Sequence, residues 1–168
     1  SITRLDFTGP LDKALLREAL DGLLRRFPQL GARFETGLRR GSCHVLPLIP
    51  GRWPLAEYDI SAEADKSAAL SRIEHDELQR EFAAAEGRLF HASLVHSGEN
   101  AHTLFINVHH LVIDGWSTPI LLRALLAAYG DGPGTLAKTR VAYGEVINAL
   151  AARDPTPARR AWSEMLEG

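Results

Sequence analysis

Residues 102–119 read HTLFINVHHLVIDGWSTP, and the interpretation of the whole chain turns on them. From Leu104 to His110 the residues alternate as in a strand: Leu104, Ile106, Val108 and His110 share one side, and Thr103, Phe105, Asn107 and His109 the other. Both sides stay largely apolar up to the paired histidines, the pattern of a central strand covered on both faces. Asp114-Gly115 then marks a turn, with Ser117 a candidate N-cap and Pro119 in the first turn of a following helix.

A histidine inside a strand is commonly a hydrogen-bonded core residue. This pair instead closes a strand beside an Asp-Gly turn, where open α/β sheets place their ligands. A shared metal ion is disfavoured, because neighbouring strand residues point to opposite faces and the chain contains no HExxH. Asp114 reads equally as a helix cap and as a site residue.

The stretch sits in a chain of 168 residues, the size of one domain with a real core, at 45% hydrophobic and 24% charged content. Lys and Arg number 19 against 21 Asp and Glu, a formal charge of −2 that gives no support to nucleic-acid binding. The single Cys43 excludes an internal disulfide framework and suits a reducing compartment. No apolar run approaches the ~20 residues of a membrane span and no signal peptide opens the chain. The expected location is therefore the cytoplasm, away from membranes.

In order along the chain, Ile2 to Phe7 alternates as a strand and ends at Gly9-Pro10. Leu11 to Phe27 carries apolar residues at helical spacing and is ended by Pro28. Ala32 to Glu35 predicts a short strand; His44 to Ile49 predicts another, at an edge because of Pro47. Gly51 to Asp59 reads as a loop with Trp53 as a packing plug. A helix is expected from Ala62 to Phe82, capped by Ser61, its many charges forming a solvated face. Leu89 to Val95 and Thr103 to His109 predict a hairpin about Gly98-Glu99-Asn100. Helices follow at Ile120 to Tyr129, stopping at Gly130, then at Val141 to Arg153 and Ala158 to Leu166.

The run His109-His110-Leu111-Val112-Ile113-Asp114-Gly115 has the form HHxxxDG. Continued by Trp116-Ser117, it resembles the core motif of the condensation domains of nonribosomal peptide synthetases, within the chloramphenicol-acetyltransferase-like superfamily. Blurred segments follow the family order. Leu5–Asp12 resembles its strand-to-helix entry. Arg26–Phe34 is similar to RHxxLRxxF, with Phe27 and Gly31 at the departures, and Phe82–Ala92 to FDLxxGPLxRA, with Ala83, Arg88 and His91 substituted. Tyr143-Gly144-Glu145 and Ala161–Leu166 are fainter matches to later elements. Epimerising relatives typically lack a tryptophan after the glycine, and heterocyclising ones replace the histidines by aspartate; Trp116, His109 and His110 fit neither.

The resemblance implies an α/β fold, a chloramphenicol-acetyltransferase-like lobe with a mixed β-sheet flanked by helices. It implies that residues 1–168 are the N-terminal lobe, with an opening motif before Ser1 and a C-terminal lobe after Gly168, and that the lobe alone is a half-site. The implied reaction is aminolysis, in which the amine of an acceptor aminoacyl thioester attacks a donor acyl or peptidyl thioester. Both thioesters ride on the phosphopantetheine of peptidyl carrier proteins, with no cofactor bound directly. His110 is the implied catalytic histidine, as base or as amine positioner. His109, on the opposite side, is expected to orient the loop, and the Gly115 amide could favour a developing oxyanion. The resemblance pairs Asp114 with an arginine, for which Arg33 and Arg26 are the candidates. Trp116 reads as a core plug or as a tunnel lining. His44, His75, His91, His96 and His102 read as surface or strand residues. Two alternatives accompany this reading: a coenzyme A-dependent acyltransferase of the same superfamily, and a non-catalytic docking module that recruits tailoring enzymes.

Overall fold

A computed structural model of the chain describes residues 1–35, 42–45, 55–136 and 142–167. In chain order its elements are β1 (Ile2–Thr8), α1 (Lys13–Arg26), β2 (Ala32–Glu35), β3 (Ser42–Val45), β4 (Ala56–Asp59), α2 (Lys66–Gln79), β5 (Phe90–Gly98), β6 (Ala101–Val108), α3 (Thr118–Asp131), α4 (Tyr143–Ala151) and α5 (Thr156–Leu166). Short 3-10 turns lie at Pro28–Gly31, Ala84–Glu86 and Pro133–Thr135. The chain divides into two compact units, Ser1–Lys138 and Thr139–Gly168.

The first unit is built on a four-stranded sheet in the order β1-β6-β5-β4. Its pairs are antiparallel except for the parallel β4 and β5, so the sheet is mixed. β6 lies inside it, as the alternation predicts, and every residue from His102 to Val108 is buried. Leu104, Ile106 and Val108 join Phe90, Ala92 and Leu94 in the cluster shared with α1 and α3. Phe105 and Val95, of opposite parity, join Ile60 and Ala69 on the α2 side. β2 and β3 form a separate two-stranded antiparallel sheet.

Helix α1 forms because its sequence supplies a cap, a stripe and a stop. Asp12 accepts the Leu15 N–H at 2.9 Å, and Leu16, Leu20, Leu23 and Leu24 face the core. Arg25 and Arg26 occupy the last turn, where the helix dipole favours cations. Each fully buried leucine contributes about 1.5–3 kcal/mol. α3 is tied to the start of α1 by the Asp12 N–H, which donates to Tyr129 Oη at 2.9 Å. A Cβ at Gly22 would stand 3.1 Å from Pro133 Cβ, so glycine is what lets the segment after α3 lie this close to α1.

Several boundaries differ from expectation. Residues 56–59, expected in a loop, form the parallel edge strand β4, whose ladder is continued by Ile60 N–H to His96 O at 2.8 Å. α2 starts at Lys66 and stops at Gln79, shorter at both ends than the predicted 62–82. Its cap is Asp65, which accepts the Ala68 N–H at 2.9 Å, while Ser61 is held in a preceding turn by Asp59. α3 runs through Gly130 and ends at Gly132, whose φ of 90° only glycine adopts easily. β3 starts at Ser42, earlier than predicted, while residues 46–49 and Trp53 lie outside the described residues.

In the second unit both predicted helices are present with shifted ends: α4 stops at Ala151, short of Arg153, with Val141 outside the described residues, and α5 starts at Thr156, ahead of Ala158. Asp154 accepts the Thr156 N–H at 3.0 Å and Arg160 pairs with Glu164 one turn on, at 2.7 Å.

Candidate active site

The ladder on β6 ends at Val108, opposite Phe90. His109 and His110 therefore lie just beyond the strand rather than in it, a correction to the predicted boundary. The His109 N–H still donates to Leu89 O at 2.9 Å, but β5 offers no further pairing residue and the chain bends away. The bend is pinned from both sides. Val112 N–H reaches His109 O at 3.1 Å, and the Leu111 N–H donates to His109 Nδ1 at 3.0 Å. Ile113 is buried in the leucine cluster of α1 and α3, with Val112 packed against it. The sequence LVI after the histidines thus anchors the turn through its apolar members and leaves the polar ones outside.

His110 is exposed at the top of this turn, followed by the half-exposed Leu111. Trp116 is 91% exposed and plugs no core in this unit. At Gly115 an added Cβ would meet nothing within 4 Å. Neither packing nor a positive φ requires glycine there, and its backbone stands open.

Asp114 performs the capping that the sequence offers to Ser117. Its carboxylate accepts the Ser117 N–H at 2.8 Å, and its carbonyl accepts from Thr118 N–H and Oγ1, each at 3.2 Å. Ser117 stands at the N-cap position without a side-chain cap bond of its own. Hydrogen bonding by Ser117, through hydroxyl and N–H, holds the Asp114 carboxyl below its usual range. The candidate arginines have other partners. Arg33 pairs with Glu35 at 2.7 Å, and its buried Nε has no hydrogen-bond partner among the described residues. Arg26 lies over the Phe27 ring at 4.9 Å. No arginine meets Asp114 among the described residues.

Below the turn, between Pro28–Gly31 and the start of α3, a cavity of about 120 Å3 is lined by Phe27, Gln29, Leu30, Val112, Ile113, Ser117, Ile120 and Leu121. Ordinary ligand pockets hold roughly 300–1,000 Å3. This one is too small to enclose a substrate, and His110 is not among its walls. No group of three or more His, Cys, Asp or Glu is arranged to hold a metal among the described residues.

Behind His109 lies a polar arrangement that the sequence did not reveal. Glu77, 1% exposed, accepts from Arg80 Nη2 at 2.7 Å, Arg80 Nε at 2.9 Å and Ser93 Oγ at 2.7 Å. Its carbonyl, one of the last acceptors of α2, takes Asn107 Nδ2 at 2.5 Å. Burial raises the Glu77 carboxyl, but the Arg80 and Ser93 bonds and the Arg80 charge carry it below its usual range. Two residues past Arg80, the Phe82 ring stands 5.5 Å from His91 and 5.2 Å from His109, edge-on to the latter at 84°. Burial and the Arg80 charge lower the His91 imidazole below its ordinary value.

Fold and motif together place a histidine pair just past the buried central strand of a mixed α/β sheet, at a turn that opens to solvent at His110. Residues 3–168 match the model of the condensation domain, and the chain belongs to that family. It is 39% identical over 170 residues to vanchrobactin synthetase VabF of Vibrio anguillarum, covering 99% of this chain and 6% of that protein. It is 31% identical over 173 residues to chondramide synthase cmdD of Chondromyces crocatus, covering 99% and 4%. The first condensation domain of the calcium-dependent antibiotic synthetase, solved with a substrate analogue, superposes with a TM-score of 0.75 at 24% identity, over 98% of this chain and 41% of that one. The fold is thus chloramphenicol-acetyltransferase-like. The chain spans well under a tenth of the synthetases it matches and less than half of that solved chain. Among the described residues no helix is long and apolar enough to cross a membrane.

Proposed function

We propose that residues 1–168 form the N-terminal lobe of a condensation domain that joins a donor acyl or peptidyl thioester to an acceptor aminoacyl thioester in nonribosomal peptide synthesis. Both substrates arrive on the phosphopantetheine arms of donor and acceptor peptidyl carrier proteins, and a C-terminal lobe closes the site. The observation that carries this reading is His110: exposed, on a turn anchored by Ile113 and Asp114, just past a strand buried from His102 to Val108. The cavity beneath is smaller than an ordinary ligand pocket and lacks His110 among its walls, so the reading places the chemistry at the exposed turn rather than in that cavity. The lone Cys43 and the near-neutral charge favour a cytoplasmic enzyme without a nucleic-acid partner.

A neutral imidazole nitrogen is a proton acceptor for an attacking amine, which is the role the reading gives to His110. Attack of the amine on the thioester carbonyl gives a tetrahedral intermediate with positive nitrogen and negative oxygen. His110 takes the proton from nitrogen or holds the amine in line, help worth about 10²- to 10⁴-fold as general base. Collapse expels the donor thiolate and leaves the amide on the acceptor carrier. The open backbone at Gly115, beside the start of α3, suits a donor to the developing oxyanion. His109 and Asp114 hold the turn, with Arg33 or Arg26 as the ion-pair partner of Asp114 in the two-lobed domain. Trp116 lines the tunnel between the lobes. The peptide-synthetase relatives favour this reading over a coenzyme A acyltransferase, and the intact His109, His110, Asp114 and Gly115 favour it over a docking module.

The test is His110→Ala in the full-length condensation domain supplied with loaded carriers. Loss of dipeptidyl product on the acceptor carrier, with folding unchanged, is expected. Product at the wild-type rate would overturn the role of His110.

A further inference from the structure

The ring of His109 has one nitrogen engaged. Nδ1 accepts the Leu111 N–H at 3.0 Å, so the neutral ring carries its proton on Nε2. That bond closes the backbone around residue 110 and fixes the direction in which His110 leaves the turn. It persists only while the His109 ring keeps its plane, and the Phe82 ring packs perpendicular to it, with centroids 5.2 Å apart.

Phe82 is itself held from both directions along the chain. On its N-terminal side, Arg80 is clamped by two bonds to the buried Glu77. On its C-terminal side, residues 83–88 close a tight loop: Glu86 N–H and Arg88 N–H both reach Ala83 O, at 3.0 and 3.1 Å, and Gly87 turns with φ 72°. The ring spans from His91, at the start of β5, to His109, just past the end of β6.

We propose that Phe82 is a positioning residue for the motif turn: it holds the His109 imidazole in the plane where Nδ1 accepts from Leu111, and so sets where His110 emerges. Phe82 touches no reacting atom and acts through His109. The kinetic arm of the test rests on the proposed condensation reaction; the spectroscopic arm does not.

The experiment uses the full-length condensation domain with 15N-labelled histidine and its native loaded carriers, comparing Phe82→Ala, Phe82→Leu and Phe82→Tyr. The wild type is expected to show His109 as a single Nε2–H tautomer. Phe82→Ala and Phe82→Leu are expected to average that signal between tautomers and to lower kcat by roughly 10- to 100-fold, the scale of a misplaced catalytic group, with KM changed less than about twofold. Phe82→Tyr, which keeps the ring, restores both. Should Phe82→Ala fail to fold, Phe82→Leu carries the reading. A wild-type His109 spectrum in the folded Leu variant overturns the proposal, whatever its kcat. A domain without condensing activity would overturn the proposed reaction, and the histidine spectra would still decide the role of Phe82.

Discussion

On one face of the sheet, Leu104, Ile106 and Val108 meet the leucines of α1 and α3; on the other, Phe105 and Asn107 meet a helix that brings a carboxylate. The first face is stabilised by apolar area. The second has a small apolar cluster of Ile60, Ala69, Val95 and Phe105, bordered by directed bonds from Arg80 and Ser93 to Glu77, from Asn107 to the end of α2, and from Thr103 to Asp6 at 2.6 Å. Burial of hydrocarbon is non-directional, whereas a buried hydrogen-bond network fixes one arrangement. The apolar face therefore supports the sheet, and the polar face sets where α2, and the Phe82 that follows it, stand relative to β6.

The comparison breaks first where area is lost. Leu104 is fully buried between β1 and β5, so Leu104→Ala should cost about 4 kcal/mol in a urea titration. Next comes Glu77→Ala, which leaves Ser93 and the partly exposed Arg80 without their acceptor; about 3 kcal/mol is expected, softened by water reaching Arg80. A loss below 1 kcal/mol would mean the network is ornamental, and the contrast between the faces would fall.

The same contrast explains what could be read from sequence. β6 and α1 were legible because their burial follows a local period, two for the strand and near 3.6 for Leu16, Leu20, Leu23 and Leu24. Glu77 was not. It sits among charges that read as a solvated face, and the groups that bury it, Ser93 and Asn107, lie 16 and 30 residues further on. The motif turn fell between these cases. Alternation continues through His110 in the sequence, but the ladder stops where β5 begins, opposite Val108, and nothing local announces that. Asp114 as cap was legible as an alternative; Phe82 carried only the signal of an aromatic just past a helix end.

A smaller effect sharpens the comparison through pH. Glu77 sits below its ordinary 4.5 in the folded chain, so its bonds contribute fully above that value and are lost as pH falls through the folded one. His91 and His102 are both lowered, chiefly by burial, so folding opposes their protonation and each costs stability as pH falls below 6.5. That upper step belongs to both faces, since His91 lies on the α2 side and His102 on the other. The lower step is where the faces separate. Exposed Asp59, Asp114 and Asp154 also sit low and add to it, so the diagnostic is a difference: Glu77→Gln should flatten the stability curve below pH 4.5 and leave the step below 6.5 in place.

The smallest expected change is the most discriminating. Replacing Glu77, Arg80 and Ser93 together by Leu, Met and Ala removes the carboxylate along with both side chains that need it. A buried ion pair is often worth no more than apolar groups of similar volume, so stability should return to within about 1 kcal/mol of wild type. Asn107 keeps its acceptor, because its bond goes to the backbone of residue 77. If the network does no more than hold the helix down, such a chain would retain the His109 tautomer. If it aims the segment after α2, the chain would be stable yet place Phe82 loosely, and the tautomer would average. Stability recovered without the histidine signature would separate holding a fold together from aiming a side chain within it, which is the difference between the two faces.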